Sequence, residues 1–173
     1  MTSSTTQVQA SPWWLVVAVG RNPRRTVVRI LVLLAVIVFT WKFAFLPIRV
    51  QGISMMPTYL NNQVNVINRL AYVLHPPKRG DVVGIRYDGE KVLLLKRIVG
   101  LPGDTVGFRG GRLYVNGQLL DEPYLKLSSN WSSPPDKVGL GEYYVVGDNR
   151  SMNEIDHTHG LVDRADILGK TLR

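Results

Sequence analysis

Ser54 and Lys96 are side chains of the types that can act together as a nucleophile and its base. The serine lies in "GISMMPTYL" (52–60), and the lysine lies forty-two residues later in "KVLLLKRIVG" (91–100). If the second stretch is a strand, its period of two places Lys96 on one face among aliphatic side chains. Burial lowers the pKa of a lysine, and a neutral lysine can take the proton of a serine hydroxyl. The pair therefore suggests catalysis by a serine that a lysine activates.

Each of these residues also has a plainer interpretation, which the pattern favours when each motif is taken alone. The Ser54 hydroxyl can bond to nearby backbone in a turn. Lys96 on an edge strand can extend its ammonium group into water. Both interpretations stay open at this level.

The histidines offer a second kind of chemistry. His157 and His159 lie in "EIDHTHGLV" (154–162), and on a strand their rings would share one face. A zinc site would need a third ligand from elsewhere, and nothing in the spacing favours a Ser-His-Asp triad through His157. A polar turn is the simplest interpretation. Since the chain has no cysteine, thiolate metal sites and disulfides are excluded, and we expect no metal or other cofactor.

An apolar segment near the N-terminus predicts a membrane anchor. The run "ILVLLAVIVFTW" (30–41) is uncharged, and residues 26–47 are long enough for one crossing. No amphipathic stripe favours a buried core helix, and no small-residue cleavage site follows, so a removed signal peptide is disfavoured. We predict a cytoplasmic segment at 1–25, a transmembrane anchor at 26–47 and an extracytoplasmic domain at 48–173.

The orientation follows from the charges. Residues 1–47 contain five basic residues and no acidic one, whereas residues 48–173 have a net charge of +3. The positive-inside rule then places the N-terminus in the cytoplasm. Because the excess charge is not on the predicted domain, a nucleic-acid partner is not expected.

Residues 48–173 predict a mainly antiparallel β domain. Short runs rich in Val, Ile, Leu and Tyr alternate with Gly, Pro, Asn and Asp. Asn116-Gly117 is a strong hairpin signal, and "KLSSNWSSPPDKVGLG" (126–141) predicts an exposed loop. Ser54 follows Pro47 by seven residues, so it lies within about 23 Å of the end of the predicted anchor, close to the bilayer surface.

Several blocks, in order and after an apolar segment, carry a family resemblance. The chain resembles bacterial type I signal peptidase, the membrane-anchored Ser–Lys protease that removes signal peptides from exported proteins. The blocks are "VQGISMMPT", "NRLAYVLHPPKRGDVVGIRY", "LLLKRIVGLPGDTV", "LYVNGQLLDEPYL" and "VVGDNRSMNEIDHTHGLVDRADILGK".

The resemblance implies a barrel-like β-sheet catalytic domain in which Ser54 is the nucleophile and Lys96 the general base. It implies that the Ser54 N–H contributes to the oxyanion hole, and that Val50, Met55 and Leu95 line shallow substrate pockets. The expected partners are the lipid bilayer and preproteins with small residues, typically Ala, at positions −1 and −3 before the cut.

The last block departs from the family pattern, which reads Gly-Asp-Asn-Arg-x-x-Ser-x-Asp-Ser-Arg. Asn153 stands where the later serine is expected, and the usual Asp-Ser-Arg becomes Asp156-His157-Thr158. In relatives that serine orients the lysine, so the resemblance suggests Asn153 or Ser151 as its replacement, with Asp156 and Arg150 in support. Two alternatives stay open: a related peptidase with a narrow set of clients, and a membrane-tethered module that binds peptides without cutting them.

Overall fold

The computed structural model describes residues 22–87, 92–157 and 159–172. Most of the predicted cytoplasmic segment, residues 1–21, lies outside the described residues, as does Thr158. The chain divides into two compact units, the first ending at Lys42 and the second beginning at Phe43.

Helix α1 spans Pro23–Ala44. Proline suits the first helical position, where its missing N–H has no helical partner to lose. An 18-residue window within Arg24–Ala44 has a mean hydropathy of 2.3, so the helix is long and apolar enough to cross a membrane by length and composition. It ends three residues before the predicted end of the anchor, because the chain from Phe45 onward pairs as a strand.

The larger sheet has seven strands, and every neighbouring pair in it is antiparallel. The strand order is β1-β2-β11-β3-β4-β9-β10. The bounds are β1 Phe45–Arg49, β2 Val64–Asn68, β3 Val82–Tyr87, β4 Val92–Gly100, β9 Glu142–Val146, β10 Gly160–Asp163 and β11 Ile167–Leu172. Strands β3, β4 and β9 each have a neighbouring strand on both sides, and their side chains are mostly buried, which accounts for their nearly continuous apolar runs.

The smaller sheet has four strands in the order β7-β6-β5-β8. Their bounds are β5 Thr105–Arg109, β6 Arg112–Val115, β7 Gln118–Leu119 and β8 Ser133–Lys137. The predicted hairpin at Asn116-Gly117 is confirmed: both residues have positive φ, and Val115 pairs with Gln118 across the turn. The two sheets together confirm the predicted mainly antiparallel β domain.

The predicted loop at 126–141 was partly wrong, because it contains strand β8. This strand pairs with β5 at Thr105–Lys137 and Val106–Asp136. It is an edge strand, and two prolines are tolerated there because an edge strand leaves one side of its backbone unpaired. The sequence signal for a loop was therefore outweighed by the free edge of β5.

Candidate active site

Ser54 lies in the turn-rich connection between β1 and β2, and it is half-buried. Asn149 holds the backbone at this point: its N–H donates to the Ser54 carbonyl at 2.9 Å, and its Nδ2 donates to the Ile53 carbonyl at 3.0 Å. The Ser54 N–H itself donates to no acceptor within the described part of the chain. The serine is thus fixed from its carbonyl side while its N–H stays available.

Lys96 lies in the middle of β4, opposite Val83 of the neighbouring strand β3. It is only 2% exposed, and it makes no hydrogen bond or ion pair with any described residue. Burial lowers its pKa from 10.5 to about 8, and no acidic partner offsets this effect. The interpretation of an edge-strand lysine that reaches into water is therefore wrong, and a neutral amine is accessible near physiological pH.

Gly147 lies close to the Ser54 backbone and to the part of β4 that carries Lys96. Arg97 of β4 pairs with Val146, the last residue of β9, so Lys96 and Gly147 are the next residues beyond this pair. A Cβ atom built on Gly147 would lie 2.3 Å from the Ser54 carbonyl oxygen. Because opposite residues of an antiparallel pair share a face, this register, if continued by one residue, would direct the Lys96 side chain to the side of Gly147 where the Ser54 backbone lies.

The segment after β9 is fixed by two buried charged groups. Asp148 accepts hydrogen bonds from Arg97 Nε at 2.8 Å and Nη2 at 2.6 Å, and from the Thr58 hydroxyl at 2.6 Å. Arg150, which is fully buried, donates to the Gly147 carbonyl at 2.7 Å and to Glu122 at 2.5 Å. Bidentate, charge-assisted bonds of this kind fix orientation as well as adding energy. They hold the backbone around Gly147 in place.

An open groove of about 730 Å³ runs beside Ser54. Val50, Met55 and Leu95, the three residues predicted to line substrate pockets, all lie along it. They are buried and belong to one apolar cluster. Residues 48–52 and 93–95 form most of the lining. The structure thus brings the predicted pocket residues together at the serine, and their binding role stays a prediction.

The residues predicted to support the lysine are placed differently from one another. Asn153 is exposed and its amide donates to Asp156, also exposed, at 3.2 Å. The Ser151 hydroxyl donates to Asn149 at 2.7 Å. Only Arg150, through its bond to the Gly147 carbonyl, reaches the strand region that faces Lys96. The supporting roles remain predictions.

The two histidines lie close together in an aromatic cluster. Their ring centroids are 5.9 Å apart, Trp131 stacks on His159 at 5.2 Å, and the Tyr144 hydroxyl lies 3.0 Å from His159 Nδ1. Among the described residues, no group of three or more His, Asp or Glu side chains is placed to hold a metal ion.

Sequence reasoning gave no role to Asn149 or Asp148, although both lie in the quoted "GDNR" block. Asn149 fixes the backbone of Ser54. Asp148 links Arg97 of β4, the strand that carries Lys96, to Thr58 in the serine connection, which is the segment 50–63 between β1 and β2. The available signal was composition, since an Asp-Asn pair directly after a run of buried apolar residues needs bonding partners inside the fold.

The chain is similar to known proteins. Residues 24–173 match the family model described as signal peptidase, peptidase S26. "Signal peptidase I P" of Bacillus subtilis subsp. natto is 36% identical over 152 residues, which cover 81% of this chain and 82% of that protein.

"Signal peptidase I" of Leptolyngbya laminosa is 33% identical over 127 residues, which cover 69% of this chain and 63% of that protein, less than two thirds of its length. A crystal structure of a signal peptidase I from Enterococcus faecalis V583 aligns at 28% identity and a TM-score of 0.43, over 54% of this chain and 95% of that one.

Proposed function

Since the chain belongs to the signal peptidase family of serine peptidases, peptidase S26, we propose that it removes signal peptides from exported preproteins with a Ser54–Lys96 dyad. Family membership confirms the resemblance carried by the sequence blocks. The observation that carries the dyad is the convergence at Gly147 of the Ser54 backbone and the strand position of the buried Lys96.

The proposed reaction passes through an acyl-enzyme. The neutral Lys96 amine removes the proton of the Ser54 hydroxyl as its oxygen attacks the carbonyl carbon of the scissile bond. The available Ser54 N–H donates to the oxyanion that develops, which is where such a donor is most effective. The new amino terminus leaves with the proton from Lys96. A water molecule, activated by the same amine, then hydrolyses the ester.

The groove suggests how the substrate docks. Strand β4 pairs with β3 along its whole described length up to Arg97, but with β9 only from Arg97 onward. The opposite edge of residues 92–95 is therefore open toward the groove. An extended peptide can add to such an edge through backbone hydrogen bonds, with alternate side chains entering pockets. Shallow apolar pockets formed by Val50, Met55 and Leu95 would admit small residues at positions −1 and −3.

This function can be tested with the detergent-solubilised full chain and two matched preproteins. A preprotein with an Ala-x-Ala site should be cut after the second Ala, and the same preprotein with Phe at position −1 should be cut at least about tenfold more slowly, because shape-based exclusion is worth roughly 1–3 kcal/mol. Mass spectrometry should find a β-lactam-type inhibitor attached to Ser54, and not to the exposed hydroxyl of Ser151. Binding of both preproteins without cleavage or labelling would instead support the non-catalytic module.

The proposed location follows from helix α1. Its exposed apolar side chains fit a lipid environment, and the basic residues precede it, so residues 48–173 would lie outside the cytoplasm. Protease added to spheroplasts of cells that express the chain should digest residues 48–173 while a cytoplasmic marker stays intact. Protection of these residues until the membrane is permeabilised would contradict the proposed orientation.

A further inference from the structure

His157 is a buried titratable side chain to which the dyad mechanism assigns no role. It is 2% exposed, and neither of its ring nitrogens has a hydrogen-bond partner among the described residues. Buried polar groups are nearly always paired, so an imidazole with two unpaired nitrogens needs an explanation. A purely packing role would be filled better by an apolar ring.

The His157 ring lies close to Gly147, beside the backbone of Ser54. A Cβ atom built on Gly147 would lie 3.0 Å from His157 Cε1 and 3.1 Å from Nε2, and 2.3 Å from the Ser54 carbonyl oxygen. Lys96 and Gly147 each lie one residue beyond the last β4–β9 pair, Arg97 with Val146. The imidazole, the serine backbone and the lysine strand therefore surround a single glycine, and Nε2 is the ring nitrogen on that side.

The charges around His157 keep its ring neutral. Burial lowers the pKa of His157 to about 4, and the positive charges of Lys96, Arg150 and His159 act in the same direction. These three groups face it from β4, from the segment after β9 and from the approach to β10, and Trp131 packs 5.7 Å from it without charge. A neutral imidazole has one nitrogen that accepts a hydrogen bond.

We propose that His157 is a positioning residue for Lys96: during catalysis the lysine amine turns toward His157, whose Nε2 then accepts a hydrogen bond that the structure does not contain. This bond would aim the amine's lone pair at the Ser54 hydroxyl. A neutral amine has two N–H groups and one lone pair. With one N–H held by the imidazole, rotation about the last C–N bond is restricted. The inference rests on the proposed dyad. It explains why Asn153, at the expected serine position, is exposed and bonded to Asp156 instead.

The test compares three variants of the full chain in detergent. His157→Phe keeps the ring shape and removes the acceptor, so kcat should fall about 10–100-fold with KM nearly unchanged. The acid limb of its pH–rate profile should move to lower pH, because the ammonium form of Lys96 loses an acceptor. His157→Gln offers an amide oxygen and should recover part of kcat. His159→Phe, in the same aromatic cluster, should leave both kcat and the limb unchanged.

A spectroscopic measurement makes the test independent of the folding of the His157 variants. With ¹⁵N-labelled histidine, the acceptor nitrogen of His157 should shift when Lys96 is replaced by Met, and it should not shift when the exposed Lys137 is replaced by Met. Identical His157 signals in wild type and Lys96→Met would overturn the inference, as would a His157→Phe variant with wild-type kcat and an unmoved acid limb. Full cleavage by Ser54→Ala would instead overturn the dyad itself, so the two failures are distinguishable.

Discussion

Replacing Lys96 with methionine is expected to lower kcat for preprotein cleavage by about a thousandfold or more and, at the same time, to stabilise the folded domain at neutral pH. Loss of a general base alone removes roughly 10²- to 10⁴-fold. Methionine has nearly the length of lysine and suits the apolar surroundings, so the strand should keep its packing. A variant that is both inactive and more stable cannot owe its inactivity to misfolding.

The stability gain follows from the lowered pKa of Lys96. The pKa falls from 10.5 to about 8 on folding, so between these values the unfolded chain binds more protons than the folded chain. The stability of the wild type therefore rises with pH across that window, and the whole penalty is present below pH 8. It corresponds to roughly 3 kcal/mol at pH 7, as an upper limit.

The measurements are a denaturant titration and a pH–rate profile. The wild-type rate should rise with pH to a plateau, with an acid limb near pH 8 that reports the Lys96 amine. Lys96→Arg, which keeps the charge and cannot be deprotonated, should be as inactive as Lys96→Met without gaining stability. Lys137→Met on the exposed strand β8 is the matched control and should change neither property. Retained activity in Lys96→Arg would contradict the role of a neutral amine.

Local signals in the sequence were enough to predict much of the fold. The hairpin at Asn116-Gly117 depends on two adjacent residues that adopt positive φ, so it could be predicted without knowledge of distant contacts. The continuous apolar runs of β3 and β4 likewise indicate central strands whatever their partners. Helix α1 was predicted from length and hydropathy alone.

The features that were missed depend on residues distant in the sequence. Strand β8 forms because β5 offers an unpaired edge, and nothing within residues 126–141 encodes that edge. Asn149 and Ser54, which are hydrogen-bonded, are separated by about ninety residues in the sequence. The segment that carries His157 reaches Gly147 only because β9 returns beside β4. The sequence identified a histidine with several alternative roles, and its burial beside the lysine strand was beyond any local pattern.

Replacing Gly147 with alanine is expected to lower kcat about a hundredfold and the free energy of unfolding by about 1–3 kcal/mol. The added Cβ would lie 2.3 Å from the Ser54 carbonyl oxygen, which is backbone and cannot rotate away. To remove this clash, the serine connection must shift. A displacement near 1 Å in a catalytic group can reduce the rate by 10²-fold. The stability loss is the usual effect of overpacking.

Gly141→Ala is the matched control, at the other end of the same strand. Gly141 has φ +85°, and a Cβ there meets no atom within 4 Å, so the substitution should destabilise the fold by about 1 kcal/mol and leave kcat unchanged. Because both variants lose stability but only Gly147→Ala displaces Ser54, the comparison separates misplacement from general destabilisation. Equal kcat in Gly147→Ala and wild type would show that the serine does not depend on the close approach of β9, and the convergence on which the dyad rests would have to be abandoned.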